Sequence, residues 1–415
     1  MRIFIASEEF PPLTGWGGIA TYSHTLARAL AKRGEEVTVF TRAESDREEI
    51  EFQEGFRLIR LPCHRLENDA LKFLPHFIAS RIVAPLDEFT QERLAFIAAF
   101  RKKTLELCRT EGAPEIVETP DWGASGLALV GGDAKPIKYL VHLHSPALFV
   151  DEANQLYLKS KLKAISLFEA LAIKRAQMVV SPTRYLAERA IKTYRLDFKK
   201  VNVIPHPFDA AFFEEPVEIP QIEASKRPYI FCAGRYERRK GQTILIEAFA
   251  KIAAEFPELN LLFAGSDTPT GPGETSYETA MYKAIAANRL NGRVVMLPNQ
   301  DRAGIRALLR GALIFALPSI YENAPYAILE AQACGAPIAA FDVGGVGEYI
   351  THNEDGLLVP GKNVISLAYA LKRLITDAEL RTRLSARSRS RARETLEPAR
   401  IAKMTVELYQ QVVYS

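Results

Sequence analysis

With 415 residues, 48% of them hydrophobic, the chain is long enough for two sizeable domains, each with its own core. A formal charge of +3 is too small at this length to point to nucleic acid, and the four cysteines (Cys63, Cys108, Cys232, Cys334) have no C-x-x-C spacing, so they read as small apolar side chains of a reducing compartment. The opening MRIFIA enters a strand at once and no apolar run could span a bilayer, so the chain is expected in the cytoplasm.

Residues 2–6 predict a first strand, and residues 19–33 an amphipathic helix with Ile19, Tyr22, Leu26, Ala27 and Leu30 on one face. Gly34 ends that helix, and a strand follows over 37–41. The loop between the first strand and helix holds Gly15-Trp16-Gly17-Gly18-Ile19-Ala20, which read literally is the dinucleotide fingerprint G-x-G-x-x-A. Two features oppose that reading: the first glycine comes too late for a tight turn, and the second strand ends in Thr41-Arg42 without an acidic residue to hold a ribose. Further strands are predicted at 57–61 and 115–118, with a long helix over 92–108. Residues 63–86 mix apolar and basic side chains with Pro75 and Pro85; they read as a helix covering its own domain or as a face lying on a membrane surface.

The strand predicted at 137–141 runs into His142-Leu143-His144. Residues two apart share a strand face, so either histidine could face a ligand while the other is a satisfied core residue. Strands at 178–181 and 201–205, with a helix over 183–194, complete a first domain of residues 1–213, and residues 214–228, rich in Glu and Pro, read as a linker. A second domain, 229–395, opens with a buried strand over 229–233, then Gly234-Arg235-Tyr236-Glu237-Arg238-Arg239-Lys240-Gly241 and a helix from Gln242. Basic residues beside a helix N-terminus at the carboxyl end of a strand can neutralise a diphosphate; the alternative is a solvated basic loop. Strands follow at 261–264 and 293–297, and the arginines of 381–393 read as a solvated helix face or a contact for anionic lipid.

The most informative stretch is 312–350. An apolar run closed by Pro318 predicts a strand buried on both faces, Pro325 suits a first helical turn, residues 326–334 predict a helix, and Gly335 stops it. A second buried strand spans 337–341, and Gly344-Gly345 opens a turn into a short helix carrying Glu348. Loops leaving the carboxyl ends of parallel strands line a ligand crevice. Glu322 lies in the first loop and Glu330 in the helix, so the loop carboxylate can reach a sugar hydroxyl while the helical one suits the cis-diol of a ribose. The paired glycines leave room for backbone N–H groups to approach a phosphate.

The segment Tyr321-Glu322-Asn323-Ala324-Pro325-Tyr326-Ala327-Ile328-Leu329-Glu330, with Cys334-Gly335-Ala336-Pro337 and Gly344-Gly345, resembles the E-x7-E segment of the retaining glycosyltransferases of family 4, which have the GT-B fold. The resemblance covers nearly the whole chain. It implies two Rossmann-like doubly wound α/β domains facing a central cleft, an acceptor-binding domain first and a nucleotide-sugar domain second, and a final helix (396–415) crossing back to the first domain. Arg235 and Lys240 would bind the donor diphosphate, Gly17 and Gly18 would face its phosphates, and His144 would bond the sugar near its 6-position. Glu322, Asn323, Ala324, Pro325, Tyr326 and Glu330 would line the donor. His206-Pro207-Phe208-Asp209 and Pro298 depart from the family spelling, and Pro298 leaves the base identity open.

The expected activity is transfer of a hexose, most simply glucose, from a UDP-sugar to an acceptor hydroxyl with retention, in polysaccharide or glycolipid synthesis. The acceptor is a glycan or lipid-linked sugar of unspecified identity. No cofactor or metal is expected, no D-x-D sequence occurs, and no nucleic-acid partner is implied, while weak peripheral contact with the inner membrane face stays open. A sugar-nucleotide epimerase and a catalytically silent nucleotide-sugar-binding subunit are the competing readings; the presence of Arg235, Lys240, Glu322 and Glu330 together argues against the second.

Overall fold

The computed structural model describes residues 1–12, 17–63, 87–155, 162–217, 228–273 and 275–414. Contacts divide the chain into two units, Met1–Glu152 with Leu156–Pro207 and Pro398–Ser415, and Ala153–Gln155 with Phe208–Glu397.

In the first unit, β1 (Arg2–Ala6), β2 (Glu36–Arg42), β3 (Glu49–Gln53), β4 (Phe56–Leu61), β5 (Ile116–Pro120), β6 (Tyr139–His142), β7 (Met178–Ser181) and β8 (Val201–Val203) form one sheet in the order β3-β4-β2-β1-β5-β6-β7-β8. Every pairing is parallel except that of β3 with β4. The sequence reading lacks β3. Its residues, Glu49-Ile50-Glu51-Phe52-Gln53, do alternate, but over only five positions with two apolar side chains, Ile50 and Phe52, both exposed at the sheet edge.

The second unit has β9 (Tyr229–Ala233), β10 (Asn260–Ala264), β11 (Val294–Leu297), β12 (Ile314–Leu317), β13 (Ile338–Asp342) and β14 (Leu357–Pro360), all parallel, in the order β11-β10-β9-β12-β13-β14. Its central strands are largely apolar because both faces are covered: Ile230, Leu261, Phe263, Ile314 and Ala316 enter one core, and Phe231, Leu262, Phe315 and Leu317 the other. Strand order reverses between β1 and β5 and between β9 and β12, the places where doubly wound sheets bind ligands.

The division of the chain differs from the expected boundary at 213. Phe208 and Phe213 are buried in the second unit's core with their rings 5.6 Å apart, and Phe208 N–H donates to Leu396 O at 2.9 Å, so the second unit begins at Phe208. Of the expected linker, residues 218–227 lie outside the described residues, but Glu215 pairs with Arg306 at 2.8 Å within the second unit. The helix Pro398–Tyr414 packs in the first unit, where Lys138 Nζ donates to Val412 O and Val413 O at 3.0 and 2.7 Å.

The arginine-rich helix Ala378–Thr395 is not merely a solvated face. Arg391 pairs with Asp355 at 2.8 Å, Arg393 with Glu214 at 2.6 Å, and Arg381 and Arg383 donate to the carbonyls of Leu374 and Asn353. Of the basic, aromatic stretch 63–86, all but Cys63 lies outside the described residues. Among the described residues no helix is long and apolar enough to cross a membrane.

Candidate functional site

At the β9/β12 switch point the second unit assembles a buried cluster of charges. Gly241 takes φ +69° after a short helical turn, Arg238–Lys240, and a Cβ there would lie 2.0 Å from Pro318 O; only glycine lets this loop pack against the end of β12. That contact brings Lys240 Nζ to 2.5 Å from Glu322 Oε1, which also accepts from Ser319 Oγ at 2.8 Å, while Arg239 Nη1 lies 3.8 Å from Glu322 Oε2. Burial alone would raise the Glu322 carboxyl, but Lys240 and Arg239 overcome it and hold it below the usual range. Burial in turn lowers Lys240. Glu237 pairs with Arg239 at 3.0 Å and with the exposed Arg235 at 3.4 Å; despite its burial, these cations bring it down to about 2.

Glu330 lies on the helix Tyr326–Cys334, whose start at Pro325 and stop at Gly335 (φ +70°) match the sequence reading. Its side chain is partly covered, and desolvation raises the carboxyl to about 7 against the pull of Arg302. Asn323 is buried; Ala324 and Tyr326 are partly covered beside it in the same segment. The glycine pair serves Glu322 directly. Gly345 N–H donates to Glu322 O at 3.0 Å, and a Cβ on Gly344 (φ +58°) would meet that same oxygen at 1.9 Å. At least one of the two N–H groups expected at a phosphate is therefore bonded inside the protein.

In the first unit both histidines of the β6 end are buried. His142 and His144 rings lie 5.0 Å apart, and His206, from the segment that departs from the family spelling, stands 5.2 and 4.9 Å from them. Tyr22 donates to Glu118 Oε1 at 2.6 Å, and its oxygen lies 2.7 Å from His142 Nδ1. Burial lowers all three imidazoles, His144 to about 3, so they are neutral near pH 7. Their ligating nitrogens lie within 4.8 Å of one another, the one such group among the described residues. Gly17 precedes the helix Gly18–Lys32 and Gly18 opens it; a Cβ on Gly17 would come within 2.6 Å of Glu9 Oε2, so a carboxylate already occupies that approach.

Sequence reasoning passed over Arg239, Glu237, Ser319, Tyr22 and His206. The first two sit in the basic run from which only Arg235 and Lys240 are singled out, and the fold buries both, with Asn154 donating to Glu237 Oε1 and accepting from the Arg239 N–H. His206 had a usable signal: it follows β8 as His142 ends β6, at the same edge of one parallel sheet.

The description "Glycosyl transferases group 1" matches residues 215–391, and "Glycosyltransferase Family 4" matches residues 16–212. A D-inositol 3-phosphate glycosyltransferase of Xylanimonas cellulosilytica is 27% identical over 393 residues, 91% of this chain and 88% of the relative. Sucrose-phosphate synthase from Thermosynechococcus elongatus superposes with TM-score 0.77 at 22% identity, covering 99% of this chain and 98% of that one. Anabaena HepE in complex with UDP and glucose gives 0.73 at 18% identity, covering 99% of both chains. These two structures share the fold.

Proposed function

Since the chain belongs to the group 1 glycosyltransferases of family 4, with the GT-B fold, we propose that it moves a hexose from a UDP-sugar to an acceptor hydroxyl with retention of configuration. The observation that carries this reading is the buried Lys240–Glu322–Arg239 cluster at the β9/β12 switch point, a place where a doubly wound sheet takes a nucleotide. Glucose is the proposed hexose, in keeping with the UDP and glucose held by the HepE structure. The product would be a polysaccharide or glycolipid precursor, made in the cytoplasm or peripherally at the inner membrane face.

In the proposed reaction the bond from the anomeric carbon to the leaving phosphate oxygen breaks as the acceptor oxygen bonds on the same face. The acceptor proton passes to that leaving oxygen, so no carboxylate nucleophile is needed. Lys240 and Arg235 stabilise the charge growing on the diphosphate. Glu322, kept ionised by its cations, accepts from the donor sugar, neutral His144 bonds it near the 6-position, and Glu330 accepts from the ribose diol. Cationic side chains thus do at the diphosphate what a divalent metal would otherwise do. The test is nucleoside diphosphate release from a panel of nucleotide sugars, with and without acceptors. UDP-glucose is expected to turn over, at the same rate in EDTA; preference for a GDP- or ADP-sugar, or loss of activity in EDTA, would contradict the donor or the metal assignment.

A further inference from the structure

The first unit holds a cavity of about 400 Å³ at the carboxyl ends of β1, β2 and β5, against the β1/β5 switch point. Glu8 and Glu9 follow β1, Arg42 ends β2 with Glu44 just beyond it, Trp122 follows β5, and Arg93 comes from the helix Glu88–Thr110. Glu8 is only 7% exposed, and its Oε1 has no hydrogen-bond partner. The two guanidinia already have carboxylates: Arg42 lies 3.8 Å from Glu8 and 3.5 Å from Glu92, and Arg93 3.7 Å and 2.9 Å from the same two residues. Arg93 also stacks on Phe89 at 3.8 Å, and Trp122 packs edge-on against that ring.

Three carboxylates, Glu8, Glu9 and Glu44, thus line the cavity with two guanidinia that Glu8 and Glu92 approach within 3.8 Å; Arg93 Nε has no hydrogen-bond partner, and no lysine lines the cavity among the described residues. A phosphate entering here would compete with Glu8 and Glu92 for the two guanidinia and would sit among more lining carboxylates than cations. A neutral hydroxyl group meets no such conflict, because it donates to a carboxylate and accepts from a guanidinium at once, while an indole covers the apolar face of a sugar ring. We propose that this cavity, in the unit to which the resemblance assigns the acceptor, selects an uncharged saccharide or polyol, with Glu8 and Arg93 bonding its hydroxyls beside Trp122, over the phosphorylated form. The proposal rests on the glycosyltransferase reading and adds the class of acceptor.

The chain has two tryptophans, Trp16 and Trp122, so in a Trp16→Phe background the emission reports on the cavity alone. With UDP present, glucose, maltose and myo-inositol are titrated against glucose 6-phosphate and inositol 3-phosphate, and UDP release from UDP-glucose is followed with each. At least one neutral compound is expected to quench Trp122 and speed UDP release, at a concentration at least about tenfold below its phosphorylated counterpart. Glu8→Gln is expected to weaken that binding about tenfold, and Glu44→Lys, on the exposed rim, to narrow the gap between the two classes. Equal or tighter binding of the phosphorylated compounds overturns the proposal, as does a full set of neutral compounds that neither quench nor accelerate. Absence of UDP-glucose binding and hydrolysis, with sugar quenching intact, instead counts against the parent reading.

Discussion

Glu322 and Glu330 separate at the level of single side chains. A hydrogen bond to a charged group contributes about 1.5–3 kcal/mol, so Glu330→Gln should weaken UDP roughly tenfold to a hundredfold, measured by calorimetry. Glu322→Gln should leave UDP affinity within a few-fold and lower turnover, because its contact orients the sugar and strengthens as positive charge develops on the ring. Equal loss of UDP binding in both variants would show that the division of roles is wrong. The raised carboxyl of Glu330 adds a pH signature. Free protein holds a proton on Glu330 below about 7, and the ribose diol needs the ionised form, so UDP affinity should climb as pH rises through about 7. The nucleotide's own titration is common to wild type and Glu330→Gln, so the slope is read as their difference; if the two profiles run parallel, Glu330 does not meet the ribose.

Among the elements, those whose residues carry their own boundaries were legible. Proline and glycine bracket the helix Tyr326–Cys334, and apolar runs mark β9, β12 and β13, so their placing needed no tertiary knowledge. What stayed hidden depends on packing between distant segments. The 3-10 segment Trp122–Leu129 contains Gly123 at φ +81° and Ala124 at φ +59°, and Gly123 lies so close to Glu8 Oε1 that a Cβ would stand 2.2 Å from it. No local pattern announces such a fit. Gly344 shows the same dependence and yields a prediction. With φ +58° and the carbonyl of Glu322 where a Cβ would go, Gly344→Ala should cost about 1–3 kcal/mol in urea unfolding and lower turnover by shifting Glu322. Gly273, also at positive φ but with open space around it, is the control: Gly273→Ala pays the backbone strain without moving any site residue. If the two variants lose activity alike, the Gly344 contact does not position Glu322.

Across the whole chain, the last helix ties its end to the sheet built from its beginning. Glu118 of β5 is fully enclosed and accepts from Tyr22 of the helix Gly18–Lys32 and from Tyr409 of the helix Pro398–Tyr414, residues 291 positions apart in the second case. Ile401, Ala402, Val406, Leu408 and Val412 are buried along the same helix, so its apolar face holds it in place and Tyr409 fixes its register. The helical period of this segment is legible in the sequence. The partner of Tyr409 is not, because a glutamate inside a strand gives no sign of which distant hydroxyl will satisfy it. Tyr409→Phe keeps the ring and removes one of two donors to a buried carboxylate, which should cost about 1–3 kcal/mol. The sign of its pH dependence follows from Glu118, which burial raises while both tyrosines pull it down. A raised carboxyl destabilises the fold above its folded pKa and costs nothing below its unfolded value of 4.5, where both states are protonated. Losing a donor raises it further, so the variant's deficit should be larger at pH 8 than at pH 4.5. Urea unfolding at both pH values measures this, and a deficit that stays constant or shrinks with rising pH would mean that Tyr409 is held by its ring alone.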